Sequence, residues 1–227
     1  MSESIQPVIH RLHLASLEVV ETGPWPVHGF LVTHADGAML VDTGVGGPQD
    51  VLDDYRVVNR TVADALAELD MTPADINLVV NTHLHFDHCG QNSVFPHAPV
   101  FVQRAEVERS QREEPELWEW FNFANAQFEL LDGDAQIAPG VRVVATPGHT
   151  VGHQSVIVGG ELGAVTDLLI GDAAYTSDFY ADPDRDEEDL VVGQAADIDD
   201  WRGSLRRLHA AAAARVHFCH DTAVLHG

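Results

Sequence analysis

An α/β fold is the class that this chain of 227 residues predicts, and three observations predict it. Runs rich in β-branched residues alternate with runs whose apolar residues recur at helical spacing. Several apolar runs end in histidine or aspartate, the arrangement expected where strand ends converge on a site. No polar linker divides the chain, so residues 1–227 read as a single domain with enough length to bury a sizeable core.

Residues 29–34 and 38–42 are the first β-rich runs, and Ala35-Asp36-Gly37 between them predicts a hairpin with an Asp-Gly turn. Val62, Ala65, Leu66 and Leu69 put a helix over 60–70, and Thr72-Pro73 marks a new helical start before a strand over 78–81. A short strand at Val100–Gln103 precedes a polar, then aromatic, helical stretch from 105 to about 128. Strands follow at 141–145, 155–158, 168–170 and 216–218, with a helix over 200–214 before the last. The composition of 182–189, DPDRDEED, favours a solvated acidic loop over a binding feature.

The apolar fraction is 45% and no apolar run approaches a membrane span, so a membrane protein is not expected. The N-terminus, MSESIQPVIHRLHL, lacks a positive cluster before an apolar core and a small-residue cleavage site, so no signal peptide and a cytoplasmic location are expected. Two cysteines, Cys89 and Cys219, are too few for a disulfide framework and read as buried thiols. The formal charge is −24 and all 12 basic residues are arginine, which argues against a nucleic acid or an anionic membrane as partner. The substrate should be neutral, or have its charge met locally by metal.

The 14 histidines are not evenly scattered. In Asn81-Thr82-His83-Leu84-His85-Phe86-Asp87-His88-Cys89-Gly90, four potential metal ligands sit within six residues just after an apolar strand. Imidazole nitrogen and carboxylate oxygen are donors that zinc accepts, and a strand-ending turn can aim alternate side chains into two adjacent sites. The pattern recurs in Val143-Val144-Ala145-Thr146-Pro147-Gly148-His149, in Leu168-Leu169-Ile170-Gly171-Asp172 and in Val216-His217-Phe218-Cys219-His220. Any one of these donors could be a satisfied polar residue at a strand end. Burying them all together without metal would carry a large desolvation cost.

These motifs resemble those of the metallo-β-lactamase superfamily, whose HxHxDH signature stands at His83, His85, Asp87 and His88. The resemblance runs from Leu40-Val41-Asp42-Thr43-Gly44 to His220. It implies an αββα four-layer sandwich of two mixed β-sheets flanked by helices, and a dinuclear site. By position, His83, His85 and His149 would hold the first metal, Asp87, His88 and His220 the second, and Asp172 would bridge both. His85 stands where the oxygen-reducing diiron members usually carry a glutamate, which favours two Zn2+ ions and hydrolysis over iron and redox chemistry. Other divalent ions suit the same donors. Such a pair would lower the pKa of a shared water, giving a bridging hydroxide nucleophile at neutral pH. Asp42 would support a ligand through hydrogen bonds. The remaining nine histidines, His153 and His217 among them, read as surface residues or supports behind the ligands.

Within the superfamily, the chain looks most like the N-acyl homoserine lactone lactonases. The likeness lies in His83 to His88, in Pro147-Gly148-His149-Thr150-Val151-Gly152-His153-Gln154-Ser155 and in Gly171-Asp172-Ala173-Ala174-Tyr175-Thr176. Tyr175 matches the tyrosine those enzymes use to hydrogen-bond the substrate carbonyl and its developing oxyanion. Phe86 would form an apolar wall beside the metals, and Asp87 would help deliver a proton to the departing alkoxide. The implied activity is opening of a lactone ring and degradation of a quorum signal, with a small neutral lactone or ester as substrate. Many relatives form dimers, so a homodimer is compatible with the resemblance.

Trp118, Trp120, Phe121, Phe123 and Phe128 read as core or a subunit interface rather than an acyl pocket. Two departures stand out: the segment between Gly44 and Arg60 is shorter than the substrate-covering region of many such lactonases, and Cys89 replaces a common alanine or glycine. The alternative reading is another ester or thioester hydrolase of the same fold. A glyoxalase II-like thioesterase is disfavoured because that family usually binds glutathione through basic residues near the C-terminus, and the sequence runs only seven residues past His220. Nuclease members fit poorly with the charge. A binding or sensor module would be expected to have lost ligands, and none of the seven is missing.

Overall fold

The first strands are long and antiparallel: β1 (Val8–Val19) pairs with β2 (Gly23–His34), which turns back into β3 (Gly37–Val41). In this computed structural model residues 7–19, 23–34, 36–159 and 165–227 are described. Residues 1–6, which bear on the expectation about a leader, and Ala35 of the hairpin turn lie outside them. The expected hairpin is formed by β2 and β3, with Phe30 opposite Val41 and His34 opposite Gly37. β1 is an addition that no sequence signal claimed. It buries Leu12 and Leu14, shifts register between His13 and Ala15, and then buries Ala15 and Leu17.

β4 (Val58–Asn59), β5 (Ile76–Val80), β6 (Val100–Gln103) and β7 (Phe128–Leu131) complete a seven-stranded sheet of order β4-β1-β2-β3-β5-β6-β7. β3, β5, β6 and β7 run parallel, and the remaining pairs are antiparallel. The second sheet has six strands: β8 (Ala135–Ala138), β9 (Val141–Ala145), β10 (Gln154–Gly159), β11 (Val165–Leu169), β12 (Arg215–His217) and β13 (Val224–His226), in order β13-β12-β11-β10-β9-β8. Its β11–β12 pair is parallel and the others antiparallel, so both sheets are mixed.

Adjacent residues on a strand point to opposite faces, and both faces here are apolar. Phe30, Val32, Met39, Val41 and Val80 of the first sheet meet Val143, Val156, Val158 and Leu169 of the second in one core between the sheets. On the outer face of the first sheet, Leu12, Leu14, Leu31 and Leu40 pack against Val62, Ala65 and Leu66 of helix α2 (Val62–Ala67). α1 (Gln49–Asp54) precedes it, and the one-turn α3 (Phe86–Cys89) follows β5. On the far side, Ile157, Leu168 and Val216 meet Trp201, Leu205 and Leu208 of α7 (Ile198–Ala210). Those three helix residues recur at i, i+4 and i+7, one apolar stripe. The chain is therefore the αββα sandwich that its motifs imply.

The helical stretch expected from 105 to about 128 is divided. α4 (Arg104–Glu113) stops at Glu114, where φ is −135° and where the following Pro115 disfavours helical backbone, and α5 (Pro115–Phe121) follows. The chain then turns through Asn125, at φ 69°, and Phe128 begins strand β7 rather than ending a helix. α7 starts before 200 because the Asp197 carboxylate accepts from the amides of Asp199 and Asp200, and it ends at Ala210 rather than 214. Thr72-Pro73 opens only a 3-10 turn, closed by the Thr72 amide and hydroxyl donating to Asp75 Oδ2. After α6 (Ser177–Ala181), residues 182–189 are largely exposed, as their composition predicts. Among the described residues no helix is long and apolar enough to cross a membrane.

Candidate metal centre

Four strand ends, one from the first sheet and three from the second, meet at one rim of the sandwich. β5 leads to His83, His85, Asp87 and His88; β9 leads to His149; β11 to Asp172; β12 to His220. The β5 turn is held by Asp42, at the end of β3. Its Oδ1 accepts from the Thr82 amide (2.8 Å), and its Oδ2 from the Thr82 hydroxyl (2.8 Å) and His88 Nδ1 (2.9 Å). Asp42 itself sits at φ 60°, an unusual backbone for a residue with a Cβ, with its amide bonded to the Val80 carbonyl. The His149 loop depends on Gly148, at φ 134°. A Cβ there would lie 2.3 Å from Trp201 Cα, so only glycine lets the loop rest against the start of α7.

The donors form two groups. His83 Nε2, His85 Nδ1 and His149 Nε2 lie 2.9–3.1 Å from one another. Asp87 Oδ2 faces His88 Nε2 at 3.6 Å and His220 Nε2 at 3.4 Å. Asp172 stands between: its Oδ2 is 3.3 Å from His88 Nε2 and 3.5 Å from His149 Nε2, and its Oδ1 is 3.4 Å from His220 Nε2. All seven expected donors are thus brought together.

The opposite nitrogens explain which way each ring points. His88 Nδ1 donates to Asp42, His149 Nδ1 to the Gly193 carbonyl (2.9 Å) and His220 Nδ1 to the Pro26 carbonyl (3.0 Å). On a neutral ring the inward nitrogen is then the lone pair, the arrangement that metal-binding imidazoles adopt. Against the effect of burial, the carboxylates of Asp172 and Asp87 raise His88 and His220 above the usual histidine range, and a bound cation would take the place of those protons. Burial, then the imidazoles of His88, His85 and His149, hold His83 well below the usual histidine range; burial and His149 do the same for His85. Neutral lone pairs crowded at about 3 Å repel unless a cation sits among them. Among the described residues, buried His88 Nε2 and Asp172 Oδ1 have no hydrogen-bond partner, which fits a metal.

A cavity of about 270 Å³ opens over these donors, walled by Leu17, Trp25, Tyr55, Phe86 and Tyr175. The short segment between Gly44 and Arg60 thus still supplies Tyr55, whose ring lies 4.9 Å from that of Phe86. The Tyr175 ring packs between His149 (5.4 Å) and His220 (5.6 Å), and edge-on to Trp25 (5.1 Å). Burial, followed by the carboxylates of Asp172 and Asp87, pushes its phenol well above the usual range, so it stays a hydrogen-bond donor. The aromatic run 118–128 lies elsewhere: Phe121 is core, and Trp118 packs on Phe128 at 5.4 Å.

Glu106 is marked by no motif, and His153 only as a surface residue or support, yet both build this site. Glu106, fully buried on α4, accepts at Oε1 from the Leu84 amide (3.0 Å) and Arg109, and at Oε2 from the Thr150 hydroxyl (2.6 Å) and the Gly152 amide (3.2 Å). It joins the loop of His83 and His85 to that of His149. His153 stands behind Asp172 and accepts its amide at Nε2 (2.9 Å); burial first, then His149, hold its pKa at about 3. His217 is turned away, onto Asp167 at 2.7 Å. Cys89 and Cys219 are buried thiols, Cys89 donating to the His85 carbonyl.

Sandwich and site together define a class: the chain belongs to the metallo-beta-lactamase superfamily, whose family model matches residues 22–220. Among curated proteins it is similar to an N-acyl homoserine lactonase of Bacillus sp, 34% identical over 170 residues, which is 68% of this chain and 66% of that protein. The match therefore spans about two thirds of that relative's length. The N-acyl homoserine lactonase AttM of Rhizobium johnstonii is 31% identical over 229 residues, 87% of this chain and 82% of that protein. A solved structure of a quorum-quenching N-acyl homoserine lactone lactonase superposes with a TM-score of 0.78 at 25% identity, covering 98% of this chain and 95% of that one.

Proposed function

We propose that this chain hydrolyses the ester bond of lactone rings, with N-acyl homoserine lactones as the substrate class and loss of a quorum signal as the consequence. The observation that carries this reading is the Tyr175 phenol, held protonated beside His149 and His220 in an apolar-walled cavity. The relatives' names support it, and so does a charge of −24, which suits a neutral substrate.

His83, His85 and His149 would hold one metal ion, Asp87, His88 and His220 a second, and Asp172 would serve both; zinc would suit these nitrogen and oxygen donors. When bound, such a pair supplies Lewis acidity that polarises the carbonyl and acidifies water to a nucleophile near neutral pH. Tyr175 donates its O–H to the carbonyl oxygen, where negative charge grows as water adds to the carbonyl carbon. The ring C–O bond then breaks, and Asp87 passes the proton it takes from the attacking water to the departing alkoxide, leaving a ring-opened hydroxy acid. Phe86 walls the ring, while Leu17 and Trp25 offer apolar surface to the acyl chain. Two buried thiols fit a reducing cytoplasm as the compartment.

Ring opening of a short-chain and a long-chain N-acyl homoserine lactone, followed by pH-stat on zinc-loaded protein, tests this. His149→Ala is expected to abolish turnover, and Tyr175→Phe to lower kcat by about 100-fold, the scale of losing one oxyanion donor. Fully metallated protein that opens neither lactone would end the lactonase reading and direct the search to thioesters and other esters.

A further inference from the structure

The segment 190–197 crosses the site between α6 and α7, and one of its side chains is fully buried there: Gln194. The two ends of its amide are used for different purposes. Oε1 accepts the backbone N–H of Tyr175 (2.9 Å), and Nε2 donates to the backbone carbonyl of Asp172 (3.0 Å). These two backbone groups are the ends of the short turn that carries a metal-facing carboxylate at one end and the phenol at the other. The Asp172 end is fixed a second time, by His153 Nε2 on its amide (2.9 Å). Among the described residues the Tyr175 amide is bonded to nothing but Gln194. Next in the chain, the Gly193 carbonyl takes the His149 Nδ1 hydrogen (2.9 Å), while neighbouring Val192 is fully exposed.

We infer that Gln194 is a positioning residue for Tyr175, its side-chain amide setting where the phenol stands relative to Asp172 and so where the substrate carbonyl is met. The inference rests on the role proposed above for Tyr175. The physical reason is that a buried amide and a buried carbonyl each need a partner, and a side-chain amide is one group that satisfies both at once with fixed geometry. An apolar side chain of the same length would leave both unpaired, and the turn would relax until they found others, carrying the phenol with it. A displacement of about 1 Å suffices to lose most of such a contact.

The experiment is a double-mutant cycle on zinc-loaded protein, with N-hexanoyl homoserine lactone as probe. Gln194→Met keeps length and removes both hydrogen bonds; Gln194→Glu keeps the acceptor that faces Tyr175. Each is made with and without Tyr175→Phe. Metal content, urea midpoint, kcat and KM are measured, together with binding of the ring-opened product through the fluorescence of Trp25, 5.1 Å from Tyr175. Two metals are expected in every variant. Gln194→Met is expected to lower kcat by about 30- to 100-fold, approaching the loss of one oxyanion donor, and Tyr175→Phe added to it to cost under about threefold more. Gln194→Glu, which has no hydrogen to give the Asp172 carbonyl, should recover only part of the loss and only part of the cost of Tyr175→Phe. If Tyr175→Phe costs as much in Gln194→Met as in the parent, the inference is wrong and the role of Tyr175 stands. If Tyr175→Phe is neutral in the parent, that role and the inference fail together. Should Gln194→Met not fold, the same comparison in Gln194→Glu decides: the inference requires a partial loss of kcat and a Tyr175→Phe cost smaller than in the parent.

Discussion

Asp42 is buried, and four donors converge on its carboxylate: the Thr82 amide and hydroxyl, His88 Nδ1 and, at 3.9 Å, the Cys219 thiol. By accepting the His88 Nδ1 hydrogen it leaves His88 Nε2 as the nitrogen that faces Asp87 and Asp172, and by accepting twice from Thr82 it fixes the turn that follows β5. His83 leans on the same turn, its Nδ1 3.1 Å from the Thr82 hydroxyl. Asp42→Ala is expected to weaken zinc binding about 10- to 100-fold, the range for partners behind metal ligands, as measured by competition with a chromophoric chelator. Unchanged affinity would mean that His88 is oriented by packing alone.

At the scale of elements, α4 acts as a bracket for two loops through Glu106. Its carboxylate is fully buried and paired with Arg109, itself 5% exposed and bonded in turn to Glu114 (2.8 Å). A buried charge with complete hydrogen bonding is tolerated; removing one partner strands the other. Glu106→Ala leaves the Leu84 and Gly152 amides, the Thr150 hydroxyl and one face of Arg109 unpaired. The expected loss is about 3–5 kcal/mol in urea unfolding, with weaker metal retention by the His83, His85 and His149 group. The approach also needs Gly152, where a Cβ would lie 2.2 Å from the Glu106 amide nitrogen. A loss below about 1 kcal/mol for Glu106→Ala would show that the two loops hold their spacing without the bracket.

For the whole molecule, 36 acidic side chains against 12 arginines set a field of one sign over the surface. Most surface ion pairs here, such as Arg104 with Asp132 at 2.9 Å, join exposed partners and add little individually. Repulsion among the rest opposes compactness and is screened by salt, since the Debye length falls from about 30 Å at 0.01 M to about 3 Å at 1 M. Tm measured by differential scanning calorimetry is therefore expected to rise between about 0.01 M and 0.5 M NaCl, while kcat/KM on a neutral lactone changes less than about twofold. A Tm that falls with salt would show that favourable ion pairs outweigh the repulsion.

Local pattern was enough for the α/β class and for singling out seven candidate donors that the fold brings together, because periodicity and a strand followed by HxHxDH are properties of a few neighbouring residues. The hairpin of β2 and β3 and the strands beneath each donor were legible for the same reason. Phe128 was misread because its aromatic neighbours at 118–121 share a helical spacing that ends with α5 at Phe121, before the turn at Asn125. β1 was missed although Leu12 and Leu14 alternate with His13, a pattern blurred by the shift at Ala15. Gln194 and Glu106 carry no local mark, and His153 stands out only as a surface residue or a support. Gln194 acts on residues 19 and 22 positions away, and Glu106 on loops 22 and 44 positions away. What the sequence by itself determined was which donors the chain owns and the strands that carry them. Tertiary structure alone decided how those donors face one another and which ordinary polar residues hold them there, since burial and hydrogen-bond partners between distant segments exist only once both sheets have closed on a common core.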